Sequence, residues 1–326
     1  MCLFPRFINN PKYKSSKKNG GEIPPILDER VKFVPIGCKK CIECKRQRKR
    51  EWQIRLLEEI KHDREGTFVT LTFNKENYQK YFNKFKDVVK GYELDNAIAT
   101  SAVRHFLERW RKKYKKSVKH WLITELGGSG TENVHLHGII WTKELEATKN
   151  IWGYGYVWTG YTKDEKNVNY LNEKTVNYIT KYMLKVDKIH KDYEGKILTS
   201  AGIGNGYTKT YNSKKNKFAG TNTKDIYICR NGVRTALPIY FRNKLYSEEE
   251  REKLWLIKLD KNERYILGSK IDISKGDENY FATLKEAQKL NNSLGYGSNE
   301  MSWKAKEYEE QRRKLKQMQR VGMISK

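Results

Sequence analysis

Apolar residues recur at helical spacing in several segments, and each segment predicts an amphipathic helix. In the first of them, Trp52, Leu56 and Ile60 lie opposite a strongly basic side. This helix therefore has one side for a packed interior and one for phosphates. The predicted helices cover residues 45–62, 98–116 and 176–186.

Four other segments are rich in β-branched and aromatic residues and predict strands. The glycine-rich stretch 127–130 separates two of them and predicts a turn. The predicted strands cover residues 68–73, 119–125, 134–141 and 152–161. Because strands and helices do not alternate strictly, we expect an α+β fold with a largely antiparallel central sheet flanked by helices.

The chain divides by pattern into residues 1–45, 46–245 and 246–326. The first segment contains five of the six prolines and four of the five cysteines, with little periodicity. Beyond residue 245 we expect charged helices, because Ser247 followed by Glu250 is a capping-box pattern. The terminal stretch 304–320 is so charged that it predicts a solvated helix.

Lysine and arginine total 66 against 39 acidic residues, which gives a net charge of +27. A polyanionic partner, above all nucleic acid, is the first expectation. No apolar run is long enough to span a bilayer, so we expect no membrane association. No G-x-x-x-x-G-K-[ST] motif is present, which argues against a built-in P-loop motor. An odd number of cysteines, clustered near the start, argues against a disulfide framework and for a reducing cytoplasm.

His135 and His137 are separated by one residue in a predicted strand and therefore project to the same side. Glu125 ends the preceding predicted strand, so its carboxylate can reach the same place if the two strands form a hairpin. The alternative is two structural histidines and a surface acid. Two imidazoles and one carboxylate predict a metal site, and the ligand types alone favour Mn or Zn.

Tyr178 and Tyr182 are four residues apart, which stacks them on one side of the predicted helix. Lys181 and Lys185 alternate with them. Nearby ammonium groups favour a phenolate and also bind phosphate, so the pair is a candidate for nucleophilic catalysis. The competing interpretation is core packing, since the chain contains 21 tyrosines.

Cys38, Cys41 and Cys44 follow C-x2-C-x2-C spacing, and Cys2 can complete a set of four ligands. This pattern favours structural zinc, with an iron–sulfur cluster or free thiols on a turn as the alternatives. The aromatic run 152–161 predicts either a packed sheet or a platform for unpaired bases.

Taken together, these motifs resemble the HUH endonucleases that initiate rolling-circle replication, in particular those of gokushovirus-type phages of the Microviridae. The resemblance rests on strand 68–73, on the segments ENVHLHG and YITKYMLK, and on the cysteine segment with Trp52 and Arg55 after it. It covers most of the chain and implies that residues 46–245 form the HUH endonuclease domain.

The resemblance implies that Glu125, His135 and His137 bind Mg or Mn. It further implies that Tyr178 or Tyr182 nicks single-stranded origin DNA, leaving a 5′-phosphotyrosine and a free 3′-hydroxyl, and that the enzyme later religates the strand. Lys181 and Lys185 would offset charge in this reaction. The implied setting is the host bacterial cytoplasm, with a host polymerase and helicase as partners.

Backbone binding of DNA is expected from the basic helix. The residues predicted for it are Lys45, Arg46, Arg48, Arg50 and Arg55. Two other functions remain open at this point. One is a non-catalytic, zinc-containing nucleic-acid-binding protein, and the other is a metal-dependent hydrolase that uses water as its nucleophile.

Overall fold

The computed structural model describes residues 2–128, 131–160, 162–163, 166–167, 171–187, 189–190, 193–298 and 303–324. Its helices are α1 (Ile42–His62), α2 (Lys75–Phe85), α3 (Gly91–Tyr114), α4 (Leu145–Trp152), α5 (Glu173–Lys181), α6 (Tyr211–Lys214), α7 (Ile239–Leu245), α8 (Glu248–Asp260), α9 (Glu278–Ser293) and α10 (Trp303–Val321). Its strands are β1 (Arg6–Asn9), β2 (Phe33–Ile36), β3 (Gly66–Leu71), β4 (Lys119–Leu126), β5 (Val134–Trp141), β6 (Val157–Trp158), β7 (Thr162–Lys163), β8 (Lys166–Asn167), β9 (Ile197–Thr199), β10 (Ile226–Ile228), β11 (Arg234–Ala236), β12 (Glu263–Ile266) and β13 (Ser269–Asp272).

The chain forms two compact units, each built from two separate stretches of sequence. The cysteine unit comprises residues 1–51 and 205–300, and the sheet unit comprises residues 52–204 and 301–326. The division of the sequence into three consecutive segments stays a prediction, because compactness alone does not define a domain.

The sheet unit is built on five antiparallel strands in the order β6-β3-β5-β4-β9. This confirms the predicted α+β fold with an antiparallel sheet. The predicted hairpin is also confirmed, since β4 and β5 pair along their whole length and Glu125 lies opposite His135. The part of the connecting turn at Ser129 and Gly130 lies outside the described residues.

Each side of this sheet packs against a different set of helices. Residues of α2, α3 and α4 cover one side, where Leu122, Leu136 and Ile140 are buried. Residues of α1 and α5 cover the other, where Trp121 and Ile139 are buried. Because side chains alternate along a strand, His135 and His137 point to the side that carries α5.

Gly138 follows the histidines because a side chain has no room there. A Cβ atom at this position would lie 2.0 Å from the carbonyl oxygen of Trp121 on β4. The glycine therefore lets β4 and β5 pair closely beside the two histidines.

Two sequence predictions near the site are wrong in their boundaries. Trp152 is the last residue of α4 and not part of a strand, and within 152–161 only Val157–Trp158 pairs as a strand. Tyr161 lies outside the described residues. The helix predicted for 176–186 ends at Lys181, with Tyr182 as its C-cap in helical conformation. Beyond it the chain turns, with Met183 and Leu184 donating to carbonyls three residues back.

The cysteine unit packs its N-terminal segment on elements from the other end of its sequence. Leu3, Cys41 and Ile42 share a buried cluster with Ile266 and Ile271 of the β12–β13 hairpin. The cluster also takes in Ala287 of α9. The predicted capping box at Ser247 and Glu250 is present at the start of α8.

The region after residue 245 is not helical throughout, because β12 and β13 form a hairpin. Its turn residues Leu267 and Gly268 both have positive φ, at 49° and 92°. Such dihedrals characterise the tight turns that join two strands, and helical periodicity does not report them.

The terminal helix α10 is not fully solvated, which corrects another prediction. Arg313 and Gln317 are each 2% exposed. Arg313 makes two hydrogen bonds to Asp95 of α3, at 2.8 and 2.9 Å, and Gln317 donates to the same carboxylate. Its charged sequence concealed a buried face that an acidic partner on α3 neutralises.

Across the part of the chain that the structure describes, no helix combines the length and the apolar character that crossing a membrane requires.

Candidate active site

Three predicted metal ligands converge on the side of the sheet that faces α5. Glu125 on β4 lies with its Oε2 atom 3.4 Å from Nε2 of His135 and 3.0 Å from Nε2 of His137. The ligand atoms of all three residues lie within 4.8 Å of one another. Neighbouring ligands of one octahedral ion at about 2.1 Å lie about 3 Å apart, so this group could hold a metal ion.

The two imidazoles are oriented by hydrogen bonds at their other nitrogens. Nδ1 of His135 lies 3.0 Å from the carbonyl oxygen of Asn133, and Nδ1 of His137 lies 2.9 Å from Oγ1 of Thr70. A carbonyl only accepts, so His135 carries its proton on Nδ1, and its neutral ring presents a lone pair at Nε2. Histidine ligands of metal ions are commonly held in this way.

The protonation of the group suits a cation. Burial raises the pKa of the Glu125 carboxyl, but hydrogen bonds from His135, His137 and Lys185 outweigh burial and hold the pKa well below its usual range. Burial lowers the pKa of His137, and the hydrogen bond to Glu125 offsets this only in part. A carboxylate and a neutral imidazole therefore face each other at neutral pH, as metal ligands must.

Tyr178 and Tyr182 lie directly against this group. The hydroxyl of Tyr182 donates to the hydroxyl of Tyr178 at 2.8 Å. The Tyr182 ring stacks on His137 with ring centroids 4.6 Å apart and planes 11° apart. On the opposite strand, Phe68 is nearly parallel to His137 as well, at 6.1 Å. The structure thus brings two phenols and the His–Glu group together.

The two tyrosines differ in their surroundings. The side chain of Tyr178 is 49% exposed, whereas Tyr182 is partly buried. Burial raises the pKa of Tyr182, and the hydrogen bond with Tyr178 and the charge of Glu125 raise it further. The expected promotion of a phenolate by nearby lysines therefore does not hold for Tyr182 in this structure.

The two predicted lysines have different partners. Lys185 forms an ion pair with Oε1 of Glu125, the oxygen that does not face the histidines. Lys181 is exposed on the last turn of α5. One ammonium thus balances the carboxylate, while the other faces solvent.

The residues predicted for DNA binding all lie along α1, but they do not share one role. Arg46 and Arg50 are one turn apart and exposed. The guanidinium of Arg55 instead lies 3.9 Å from the ring centre of Trp52 and donates to the carbonyl of Ile203 at 3.1 Å. These contacts give Arg55 a packing role within the sheet unit.

The four predicted cysteines come together in the cysteine unit. The Sγ atoms of Cys2 and Cys41 are 3.9 Å apart, as are those of Cys38 and Cys44, and the four sulfurs lie within 4.8 Å of one another. Sulfurs that share one tetrahedral zinc ion at about 2.3 Å lie about 3.8 Å apart. Backbone N–H groups of residues 4 and 38 donate to Cys2, and that of residue 41 donates to Cys38. This cluster could bind structural zinc.

Sequence reasoning missed Thr70 and the carbonyl of Asn133, which orient the histidines. Thr70 lies directly opposite His137 in the β3–β5 register. Only the pairing of the two strands reveals this neighbour, although Thr70 lies in a segment that the sequence predicts as a strand.

A family model for replication-associated proteins of the ORF2 type matches residues 66–187. The matched interval contains every residue predicted for the active site, from Glu125 to Lys185, and leaves the four cysteines outside. The match covers less than half of the chain and is consistent with a replication initiator. No curated protein and no solved structure matches the chain. The narrower resemblance to gokushovirus initiators stays a prediction.

Proposed function

We propose that this protein initiates DNA replication by nicking a single strand of origin DNA through a tyrosine nucleophile, in the manner of an HUH endonuclease. The observation that carries the proposal is the hydrogen-bonded pair Tyr178–Tyr182, whose second ring stacks on His137. Two potential nucleophiles thus adjoin a group of residues suited to a divalent ion. The similarity of residues 66–187 to a replication-associated family supports the same function.

Glu125, His135 and His137 are the residues that would hold the ion, Mg²⁺ or Mn²⁺. When bound, such an ion supplies Lewis-acid polarisation of a phosphate oxygen. Within this chain, Thr70 and the Asn133 carbonyl hold the imidazoles in place, and Lys185 balances the carboxylate.

Tyr178 is the better candidate for the first attack. Its side chain is the more exposed of the two, and it accepts a hydrogen bond from Tyr182, which favours the ionised form of Tyr178. Its oxygen forms a bond to phosphorus while the bond from phosphorus to the 3′-oxygen breaks. The tyrosine proton is lost and the departing 3′-oxygen gains one, so the products are a 5′-phosphotyrosine and a 3′-hydroxyl.

The phosphotyrosine ester retains the energy of the phosphodiester, so a later attack by a 3′-hydroxyl reseals the strand without ATP. Tyr182 is then available to cut again while Tyr178 holds the first 5′ end. The 3′-hydroxyl would prime a host polymerase in the host cytoplasm, and a host helicase would open the duplex. Exposed cations such as Arg46 and Arg50 would add salt-dependent backbone binding.

Capture of a covalent adduct tests this proposal. The full chain is incubated with Mn²⁺ and a library of 3′-labelled single-stranded oligonucleotides, and the products are separated on a denaturing protein gel. Because the protein remains on the 5′ end of the downstream fragment, label should migrate with the protein.

The matched control is the double variant Tyr178→Phe/Tyr182→Phe, which keeps both rings but removes both nucleophiles. We expect it to lose all adduct and all nicking, whereas either single variant keeps some cleavage. Cleavage by the double variant would instead identify a hydrolase that uses water. Binding without any cleavage by the unmodified chain would identify a non-catalytic nucleic-acid-binding protein.

A further inference from the structure

An open cleft of about 640 Å³ adjoins the tyrosine pair within the sheet unit. His137 and Tyr178 line one side of it, and Tyr156 and Trp158 line the other. This volume lies within the range of about 300–1,000 Å³ that is typical of small-ligand sites. The cleft is therefore large enough for part of a DNA strand bound at the active site.

The strand register places the cleft in line with the active site. Trp158 lies opposite Thr70 in the β6–β3 pair, and Thr70 lies opposite His137 in the β3–β5 pair. Directly opposite residues in antiparallel strands project to the same side of a sheet. A continuous row thus runs from Trp158 through Thr70 to His137, and the next position outward from the candidate metal ligands is aromatic.

Tyr156 is an exposed ring on a fixed backbone. Its side chain is 68% exposed, yet its carbonyl oxygen accepts hydrogen bonds from the N–H and the hydroxyl of Thr72, at 3.0 and 2.9 Å. Trp158 is held edge-on against Phe68, with ring centroids 5.6 Å apart. Aromatic surfaces that are held in position but remain accessible suit the stacking of flat ligands.

The charge of the cleft suits a nucleotide. Lys174 is exposed on the first turn of α5, one helical turn before Tyr178, so both residues line the same side of the cleft. None of the described residues that line it is acidic. A cation beside aromatic rings matches the two parts of a nucleotide, its phosphate and its base.

We propose that this cleft binds one unpaired base of the DNA strand next to the scissile phosphate. The base stacks on Tyr156 and Trp158, and Lys174 contacts an adjoining phosphate. The inference rests on the proposed nicking function and adds its substrate class, since only an unpaired base can enter and stack. The enzyme would thus require single-stranded DNA at this position.

Binding in a background that cannot nick tests the cleft separately from the chemistry. The full-length Tyr178→Phe/Tyr182→Phe protein is titrated, by fluorescence anisotropy, into labelled oligo(dT) and into an abasic deoxyribose-phosphate oligomer of the same length. The second probe carries the same phosphates without bases.

Tyr156→Ala and Trp158→Ala should each weaken binding of oligo(dT) about 10-fold, as expected for loss of stacking on one base. Neither should change binding of the abasic oligomer, and Tyr156→Phe should bind like the parent. Lys174→Gln should weaken both probes and reduce the salt dependence by about one phosphate contact. The matched control is Tyr308→Ala in α10, because Tyr308 is 63% exposed and lies away from the cleft residues in sequence.

Equal binding of oligo(dT) by Tyr156→Ala and Tyr308→Ala would overturn the base site, as would equal losses on the two probes. Thermal unfolding checks that Trp158→Ala remains folded, and Tyr156→Ala, an exposed position, decides the matter if it does not. The two proposals fail separately. A chain that forms no adduct but shows these differences refutes the nicking step alone, and a chain that nicks without them refutes the base site alone.

Discussion

The molecule contains two groups of residues that could each hold a metal ion, and they differ in chemistry and surroundings. In the cysteine unit, four thiols surround one point, and two of them, Cys38 and Cys41, are buried. In the sheet unit, one carboxylate and two imidazoles converge, each partly exposed, with Tyr182 stacked on His137.

The difference teaches what each group can do. Four sulfurs fill the tetrahedral coordination of zinc and leave no place for a substrate, which is typical of structural sites. Three harder ligands leave open positions on an octahedral ion, which is typical of catalytic sites. Loss of the first metal should therefore affect folding, and loss of the second should affect reaction rate.

The largest expected effect comes from the cysteine cluster. Cys41→Ser should abolish zinc binding and the ordered structure of the cysteine unit, because structural zinc contributes about 10 kcal/mol or more to folding in small zinc domains. Metal analysis of the purified protein and limited proteolysis measure the two losses. Cys229→Ser is the matched control, since Cys229 is a free cysteine outside the cluster. Equal zinc content and protease resistance in the two variants would contradict a structural role.

The next largest effect concerns the Glu–His–His group. His137→Ala should slow nicking about 1,000-fold, which corresponds to about 4 kcal/mol of lost transition-state stabilisation. Zinc content and thermal stability should stay unchanged, unlike in Cys41→Ser. His62→Ala, at an exposed position near the end of α1, serves as the control in a single-turnover nicking assay. A large drop in melting temperature for His137→Ala would remove the contrast between the two groups.

Stability of the sheet unit should depend on its buried ionic contacts. Arg313→Ala leaves the carboxylate of Asp95 buried without its bidentate partner, so we expect a loss of about 3–5 kcal/mol in the free energy of unfolding. Denaturant unfolding with a chelator present and absent measures this loss and its independence of metal. Lys314→Ala, at an exposed neighbouring position, should have little effect. Similar unfolding curves for the two variants would contradict the prediction.

The smallest effect should come from Thr70, which contacts His137 but not the ion. Thr70→Ala should lower the affinity of the active site for Mn²⁺ about 10- to 100-fold, because such supporting hydrogen bonds fix the orientation of metal-binding histidines. Thr70→Ser keeps the hydroxyl and should bind Mn²⁺ nearly as the parent does. Titration of nicking against Mn²⁺ concentration gives the affinity, and an unchanged midpoint for Thr70→Ala would contradict a positioning role.

Much of the fold near the site could be predicted because its signals are local. The hairpin follows from two β-rich segments around a glycine turn, and its boundaries agree with β4 and β5 within one residue. Register then brings Glu125 beside His135 without any distant contact. Tyr182 keeps its place one turn after Tyr178, because the residue after α5 retains helical dihedrals.

Other features could not be predicted, since they depend on partners far away in the sequence. Arg313 is buried because Asp95 lies opposite it, and 218 residues separate the two. In isolation, its helix has the composition of a solvated one. Likewise, Trp152 ends a helix because its indole packs inside the sheet unit and donates to the carbonyl of Thr72 at 2.9 Å.

The sequence by itself determined which residues share a face, since the periods of strands and helices decide this locally: His135 with His137, and Tyr178 with Tyr182. Only the tertiary structure decided that these two faces meet, that Lys185 pairs with Glu125, and that an aromatic cleft opens beside Tyr178. The physical reason is range. Backbone geometry fixes neighbours along the chain, whereas packing and buried charge select among distant partners that no local pattern encodes.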